Sequence, residues 1–110
     1  MNTSPADATE TIFAYGTLRD APTQRAVFGR AVNGVPDVLD GYRLSSIQLD
    51  GATYPIAHLE QGAAINGVRY TVTRYELSLM DAYEGEAYQR IIVRLRSGSQ
   101  AWVYVAAHQA

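Results

Sequence analysis

The order of apolar and polar positions divides the chain into short strand-like segments separated by turn signals. Strands are predicted over residues 11–15, 42–49, 54–59 and 67–72. Asn-Gly or Asp-Gly dipeptides, which favour tight turns, occur at 33–34, 40–41, 50–51 and 66–67. Short strands at this spacing predict a small antiparallel or mixed sheet that curls on itself.

Two helices interrupt the predicted strands. Pro22 suits the first turn of a short helix that ends near Gly29. A clearer helix begins at Thr73, because Thr73 and Glu76 have the spacing of a capping box. Gly85 is its natural end, since glycine tolerates the left-handed conformation that often follows a helix.

The last third of the chain predicts two more strands, over 88–96 and 101–105, joined by a turn at Ser97-Gly98. Apolar residues alternate with arginines in the first of them, so one face is expected to be buried. The first ten residues are polar and resemble a flexible tail. The pattern therefore predicts one α+β domain over 11–110, preceded by a tail over 1–10.

Composition narrows the class of protein. With 110 residues, 47% of them hydrophobic and 18% charged, the chain is long enough for one globular core. A net charge of -2 without a basic run argues against nucleic-acid binding. No apolar run approaches the roughly 20 residues that cross a bilayer, and no signal peptide is visible. We therefore expect a cytoplasmic protein that has no membrane partner.

Several kinds of chemistry lack the residues that they need. The absence of cysteine excludes disulfides, thiol nucleophiles and zinc-cysteine sites. His58 and His108 have no partner at metal-ligand spacing, so we expect structural or surface roles for them, and no metal or other cofactor. No base accompanies a hydroxyl residue in the pattern of a serine triad. Some of the eight tyrosine hydroxyls are expected to line a polar cavity.

Glu84 has an unusual position for a carboxyl group. It lies at the negative end of the predicted helix, one turn after Asp81 and two residues before Glu86. These neighbours, and burial if it occurs, raise the pKa of a carboxyl group. A carboxyl group that titrates near neutrality can both accept and donate protons. An ordinary surface acid at a helix end is the alternative explanation.

The segment Tyr-Gly-Thr-Leu at 15–18 ends the first predicted strand abruptly. A glycine there lets the chain turn sharply and expose backbone N–H groups. Such groups bind a carboxylate or a developing oxyanion. An ordinary strand-ending turn explains these four residues equally well.

Five motifs occur in one order along the chain. They are "YGTL" at 15–18, "YP" at 54–55, "NGVRYTVT" at 66–73, "LMDAYEGEAYQR" at 79–90 and "AWVYV" at 101–105. Together they resemble the γ-glutamyl cyclotransferase-like family, in particular its small AIG2-like branch, which includes γ-glutamylamine cyclotransferase. The resemblance extends from residue 11 to residue 106, and the first and fourth motifs are its most specific parts.

The resemblance implies a compact mixed β-barrel with flanking helices and one pocket. It also implies that a loop of Tyr15, Gly16, Thr17 and Leu18 binds a γ-glutamyl group, and that Glu84 is the general acid and base. The family's reaction closes the γ-glutamyl group into 5-oxoproline and releases an amine. The substrate's own α-amine is the nucleophile, so the reaction gains from proximity.

Other residues carry weaker expectations. Tyr88 and Arg90 match the family's Tyr-x-Arg after the glutamate, and Tyr88 is expected to bind substrate. The sequence leaves open whether Arg90 and Tyr104 reach the pocket. Ile56, where a glycine often follows the proline, and Arg69, where a small or apolar residue is usual, depart from the family pattern. They put the amine side of the substrate in doubt.

Two alternatives stand beside a cyclotransferase that acts on a γ-glutamyl amine or a related amide. One is another amide-cleaving enzyme on the same scaffold, because a fold does not determine its substrate. The other is a non-catalytic domain that binds small carboxylates or a protein partner. The carboxyl group of Glu84 favours an enzyme, because it would repel a bound anion. Neither the leaving amine nor the oligomeric state follows from the sequence.

Overall fold

The computed structural model describes residues 8–107, which form five strands and two α-helices. In chain order these are β1 (Thr9–Ala14), a 3₁₀ turn (Thr17–Arg19), α1 (Ala21–Phe28), β2 (Val35–Leu49), β3 (Ala52–Thr73), α2 (Arg74–Glu84), β4 (Tyr88–Arg94) and β5 (Gln100–Ala106). The two described helices have 8 and 11 residues, and neither is long and apolar enough to cross a membrane.

The five strands form one sheet in the order β2-β3-β1-β5-β4, with β1 at its centre. Strand β1 is antiparallel to β3 and parallel to β5, so the sheet is mixed. The sheet curls until its two outer strands approach each other: the Arg96 N–H, just after β4, donates to the Val38 carbonyl in β2 at 2.9 Å. This five-stranded curled half-barrel with two helices confirms the expected mixed β-barrel with flanking helices.

Both faces of β1 are buried. Phe13 and Tyr15 pack into the interior of the half-barrel, while Ile12 and Ala14 pack on the opposite side with the helices. A strand that is covered on both faces has a continuous apolar sequence rather than an alternating one. This explains the apolar run that ends at Tyr15.

Two predicted turns are wrong. Asn66 and Gly67 lie inside the long strand β3 and pair with Val38 and Asp37. Gly67 is needed there for space, because a Cβ on it would lie 2.5 Å from the Ala14 carbonyl oxygen and from the Phe13 ring. Gly41 lies in β2 at a register shift, with φ 86, and forms a bulge rather than a hairpin turn.

Other local signals are confirmed. Asp50 and Gly51 form the two-residue β2–β3 turn, and both have the positive φ that this turn requires. Helix α2 begins with the expected capping box: Thr73 Oγ1 accepts from the Glu76 N–H at 3.0 Å, and Glu76 Oε1 accepts from the Thr73 N–H at 2.8 Å. It ends before Gly85, which has φ 76.

The strand boundaries differ from the prediction. Strand β2 begins at Val35, seven residues earlier than expected, and β3 joins the predicted strands 54–59 and 67–72 into one, while the ends of the other strands move by one or two residues. Strand β1 begins at Thr9, so Thr9 and Glu10 belong to the sheet and not to a tail. The Ala8 carbonyl accepts from the Arg74 N–H at 2.7 Å. The rest of the predicted tail, residues 1–7, lies outside the described residues. Strand β4 ends at Arg94, two residues earlier than expected, because the chain turns there towards β2.

Candidate active site

A cavity of about 230 Å³ opens beside the end of β1. Its lining comes from residues 13–18, from the tip of the β2–β3 hairpin, from Tyr83 and Glu84 at the end of α2, and from Tyr88 and Tyr104. All six site residues named from the sequence (Tyr15, Gly16, Thr17, Leu18, Glu84 and Tyr88) therefore line one pocket. They come from both ends of the chain and meet because β1 is the central strand.

Tyr15 anchors the start of the loop. Its hydroxyl donates to the Tyr104 carbonyl at 2.5 Å and accepts from the Ala57 N–H at 3.1 Å. Burial raises the pKa of this phenol well above its usual range. Tyr15 therefore stays neutral and joins β1 to both β3 and β5, which holds the strand end in place.

The loop turns directly after Tyr15 and packs against β3. A Cβ on Gly16 would lie 2.9 Å from Cγ of Pro55, so only glycine fits there without displacing the proline ring. The Leu18 side chain is buried among the residues beneath α1 and α2. Thr17 is exposed, and its hydroxyl lies 2.8 Å from the Tyr83 hydroxyl.

Gln24 supports the loop from below, a role that we did not predict from the sequence. This α1 side chain is 2% exposed. Its amide donates to the Leu18 carbonyl at 2.8 Å and accepts from the Val32 N–H at 2.9 Å. No local sequence pattern marks this role, because both the burial and the partners of Gln24 are visible only in the fold.

Glu84 is the last residue of α2, and its carboxyl group faces the cavity. Burial raises its pKa to about 7, because the charged form loses its hydration. The direction agrees with the sequence argument, and of the causes expected there it is burial that raises the pKa, rather than the neighbouring acids. Asp81 is paired with Arg90, at 2.8 Å and 3.0 Å, so its charge is balanced.

Two further tyrosines complete the wall around Glu84. The Tyr88 hydroxyl donates to the Pro55 carbonyl at 2.7 Å, and its pKa is raised to about 12 by burial and by the nearby Glu84. The Tyr104 side chain also lines the cavity, but its hydroxyl donates to Asp81 at 2.6 Å. Arg90 lies outside the lining, which settles the two positions that the sequence left open.

The hairpin tip forms the side of the cavity that sequence reasoning missed. Leu49, Asp50, Tyr54 and Pro55 line it there. The Asp-Gly turn signal predicted the hairpin, but not that its tip would lie beside the loop at 15–18. Asp50 and Glu84 are the two carboxyl groups of the lining, and the described lining contains no Lys, Arg or His.

The two departures from the family pattern do not line this cavity. Ile56 is buried, and neither it nor Arg69 is among the lining residues. Arg69 donates to the carboxylate of Asp37 at 3.0 Å. Both positions therefore serve packing and ion pairing within the half-barrel.

His58 does not belong to the cavity wall. His58 lies in β3 opposite Arg43 of β2 and is not among the lining residues, whereas His108 lies outside the described residues. Within residues 8–107, no three His, Asp or Glu side chains lie close enough together to hold a metal ion.

Comparisons with known proteins agree with this geometry. The family model "Gamma-glutamyl cyclotransferase, AIG2-like" matches residues 12–110. A curated Arabidopsis thaliana protein, "AIG2-like protein A", is 32% identical over 83 residues, which are 74% of this chain and 49% of that protein. The chain thus spans about half the length of this curated relative.

Solved structures share the fold. An Arabidopsis thaliana protein determined in solution is 27% identical, with a TM-score of 0.76 over 96% of this chain and 67% of the other. A solved γ-glutamyl cyclotransferase superimposes with a TM-score of 0.78 over 89% of this chain and 66% of its own. Its identity is 16%, so this similarity concerns the fold alone.

Proposed function

Because this chain belongs to the AIG2-like γ-glutamyl cyclotransferase family, we propose that it converts a γ-glutamyl amine to 5-oxoproline and the free amine. One observation carries the proposal: a carboxyl group with a pKa of about 7, that of Glu84, lines the same cavity as the loop Tyr15–Leu18. A proton carrier and a set of backbone donors are the two groups that this reaction requires.

Glu84 begins the reaction as a carboxylate. It takes a proton from the substrate's α-ammonium, and the free amine attacks the γ-carbonyl carbon to form the five-membered ring. The attack is intramolecular, so correct orientation of the bound substrate supplies much of the rate gain. Holding that orientation is the role we assign to Tyr15 and Tyr88, whose hydroxyls are already bonded to backbone carbonyls.

The carbonyl oxygen becomes negative when the ring closes. We assign its stabilisation to backbone N–H groups of the loop Gly16–Leu18, which lines the cavity. Protonated Glu84 then donates to the departing nitrogen, and the carbon–nitrogen bond to the amine breaks. Over a turnover two protons move from the α-nitrogen to the departing nitrogen. Glu84 carries them one at a time and returns to the carboxylate.

The charges of the cavity favour a simple amine as the leaving group. The γ-glutamyl group already brings one carboxylate into the cavity. The described lining contains no Lys, Arg or His that could pair with a second carboxylate on the leaving group. Asp50, at the hairpin tip, would repel one. These features support γ-glutamyl amines as substrates over γ-glutamyl peptides that end in a free carboxylate.

The test is release of 5-oxoproline from γ-glutamyl amines, γ-glutamyl dipeptides and glutathione. Wild type is compared with Glu84→Gln, which keeps the size of the side chain and removes its titratable proton. Glu86→Gln is the matched control, because it removes an exposed carboxylate two residues away. We expect turnover of at least one amine, its loss in Glu84→Gln and its retention in Glu86→Gln.

Three outcomes would reject the proposal. Turnover that survives in folded Glu84→Gln would remove Glu84 from the mechanism. Binding of γ-glutamyl compounds without release of 5-oxoproline would favour the non-catalytic alternative. Cleavage to glutamate instead of 5-oxoproline would identify a different amide-cleaving enzyme.

A further inference from the structure

A charged cluster lies at the C-terminal end of α2, next to the cavity wall. The carboxylate of Asp81 accepts from Arg90 Nε at 2.8 Å and Nη2 at 3.0 Å, and from the Tyr104 hydroxyl at 2.6 Å. Although burial works against ionisation, these hydrogen bonds hold the pKa of Asp81 below its ordinary value. The proposed reaction assigns no role to the side chains of Asp81, Arg90 and Tyr104.

The cluster compensates an unfavourable helix end. The last turn of α2 contains Asp81 and Glu84 and has no basic residue. Carboxylates are disfavoured at this end, because the helix dipole is negative there. Arg90 supplies the missing positive charge from strand β4, and its guanidinium lies 4.2 Å from the centre of the Trp102 ring. The stacking and the two-pronged ion pair together define one position for Arg90.

The same contacts connect the helix end to the cavity wall. Asp81 precedes Glu84 by three residues, so the two side chains are neighbours on the helix surface. Tyr104 bonds to Asp81 through its hydroxyl and to Tyr15 through its backbone carbonyl, and both tyrosine side chains line the cavity. A shift of the Arg90–Asp81 pair would therefore move the turn that carries Glu84.

We propose that Arg90 is a positioning residue of this site, which acts through Asp81 to fix the place and the charge environment of Glu84. The effect of Arg90 on turnover rests on the proposed function, whereas the effect of Arg90 on Glu84 does not. Without Arg90, the Asp81 carboxylate would stand uncompensated one turn from Glu84 and disfavour its ionisation. Without Asp81, the unpaired guanidinium of Arg90 would favour the ionisation of Glu84.

Other titratable groups line the same cavity as Glu84 and are not substituted in the test. They are Tyr15 directly after β1, Tyr88 from β4, Tyr104 from β5, Tyr83 from α2, and Asp50 and Tyr54 from the hairpin tip. The variants below substitute only Arg90 and Asp81. Asparagine at position 81 keeps an oxygen that can accept from the Tyr104 hydroxyl, so a change in the titration of Glu84 is attributable to the charges of the pair.

The first experiment measures the titration of the Glu84 carboxyl carbon by NMR on ¹³C-labelled protein. We expect Arg90→Gln to raise the pKa of Glu84 by about half a pH unit or more, and Asp81→Asn to lower it. The double variant should return towards the wild-type value. Since the Arg90 and Asp81 side chains are 25% and 41% exposed, solvent screening keeps these changes moderate.

This pattern of signs separates the proposal from a purely structural role. Loosening of the fold would move the pKa of Glu84 in the same direction in all three variants, and that result would overturn the inference. So would three titrations identical to wild type. Arg43→Gln is the matched control, because it breaks an exposed arginine–glutamate pair on the hairpin, at 3.0 Å, away from the cavity.

The second experiment measures turnover of the best γ-glutamyl amine. Arg90→Lys keeps the charge but cannot form the two-pronged contact. We expect it to leave the pKa of Glu84 near wild type and to lower kcat about tenfold with little change in KM. An unchanged kcat would overturn the positioning role. No turnover by wild type would reject the proposed function, while the NMR titrations would still decide the inference.

Discussion

Gly16 presses against the ring of Pro55, and a Cβ on Gly16 would lie 2.9 Å from the proline Cγ. Pro55 is itself held in place, because its carbonyl accepts from the Tyr88 hydroxyl at 2.7 Å. The loop therefore approaches β3 as closely as a backbone without a side chain allows. This contact explains why the first strand ends in Tyr-Gly, and it forms one corner of the cavity.

Gly16→Ala should damage the site more than the fold. The added methyl group must displace the loop or the rigid proline ring, which costs about 1–3 kcal/mol of unfolding free energy. A shift of about one ångström at the loop should lower kcat/KM by tenfold or more. Urea denaturation and 5-oxoproline release measure the two effects.

Gly29→Ala is the matched control for that substitution. Gly29 ends α1 with φ +89 and has open space around its Cβ position, so alanine there costs backbone strain of about 1 kcal/mol without touching the cavity. We expect lower stability with normal turnover. If Gly16→Ala behaved in the same way as Gly29→Ala, close packing at Pro55 would not matter for the site.

Glu84→Gln should stabilise the protein at neutral and alkaline pH. The pKa of Glu84 is about 7 in the folded chain and near 4.5 when exposed, so folding favours its protonated form. Its stability contribution is complete below about pH 4.5 and is lost as the pH rises through 7. The neutral glutamine avoids this loss, which amounts to about 3 kcal/mol at most.

The measurement is the unfolding free energy of both proteins from pH 5 to pH 8. The advantage of Glu84→Gln should grow across this interval and level off above it. Glu86→Gln, an exposed position, should show no such growth. A constant difference between wild type and Glu84→Gln would mean that burial does not raise the pKa of Glu84.

Local signals predicted most of the secondary structure. The capping box of Thr73 and Glu76, and the Asp-Gly turn at 50–51, depend on residues that are adjacent in sequence. Gly67 shows where such reasoning fails. Its dipeptide favours a turn, but the space left by Phe13 in another strand decides its conformation.

The candidate site was predictable only in part, for the same reason. Glu84 and the loop at 15–18 were recognisable as motifs, and the direction of the change in the pKa of Glu84 was correct. Of the expected causes, burial accounts for the change, whereas the neighbouring acid does not, because Asp81 is compensated by a residue from another strand. Likewise, no local pattern places the Tyr15 hydroxyl on a carbonyl 89 positions away.

Asp37 should be important for closing the half-barrel. Its side chain is 3% exposed and accepts hydrogen bonds from Arg69, from the Val38 N–H, and from both the hydroxyl and the N–H of Ser97. Asp37→Ala would leave these donors without a partner at the contact between the outer strands. We expect a loss of about 3 kcal/mol in unfolding free energy at pH 7.

Asp40→Ala is the control for Asp37→Ala. Asp40 pairs with Arg96 at 2.6 Å, but both side chains are more than half exposed, so solvent screens the pair and its loss should cost much less stability than the loss of Asp37. Acid titration adds a second check. Burial opposes ionisation of Asp37, but its hydrogen bonds lower its pKa overall, so its contribution is lost as the pH falls below about 4. Equal losses in the two variants would contradict this assignment.

Both hydrogen bonds of the Gln24 amide should help to position the loop. Gln24→Glu keeps the acceptor for the Val32 N–H but replaces the donor to the Leu18 carbonyl with a carboxylate. A buried carboxylate that faces a carbonyl oxygen is repelled, so we expect about 2 kcal/mol of lost stability and displacement of Leu18. Since Leu18 lines the cavity, KM for the γ-glutamyl substrate should rise.

Protonation provides an internal control for Gln24→Glu. When the introduced glutamic acid takes up a proton, it regains a donor for the Leu18 carbonyl. Both stability and loop position should therefore recover towards wild type as the pH falls to about 5. Denaturation and backbone NMR shifts of residues 15–18 at pH 5 and pH 8 measure this recovery. Loop shifts that match wild type at both pH values would mean that Gln24 supports α1 alone and does not position the loop.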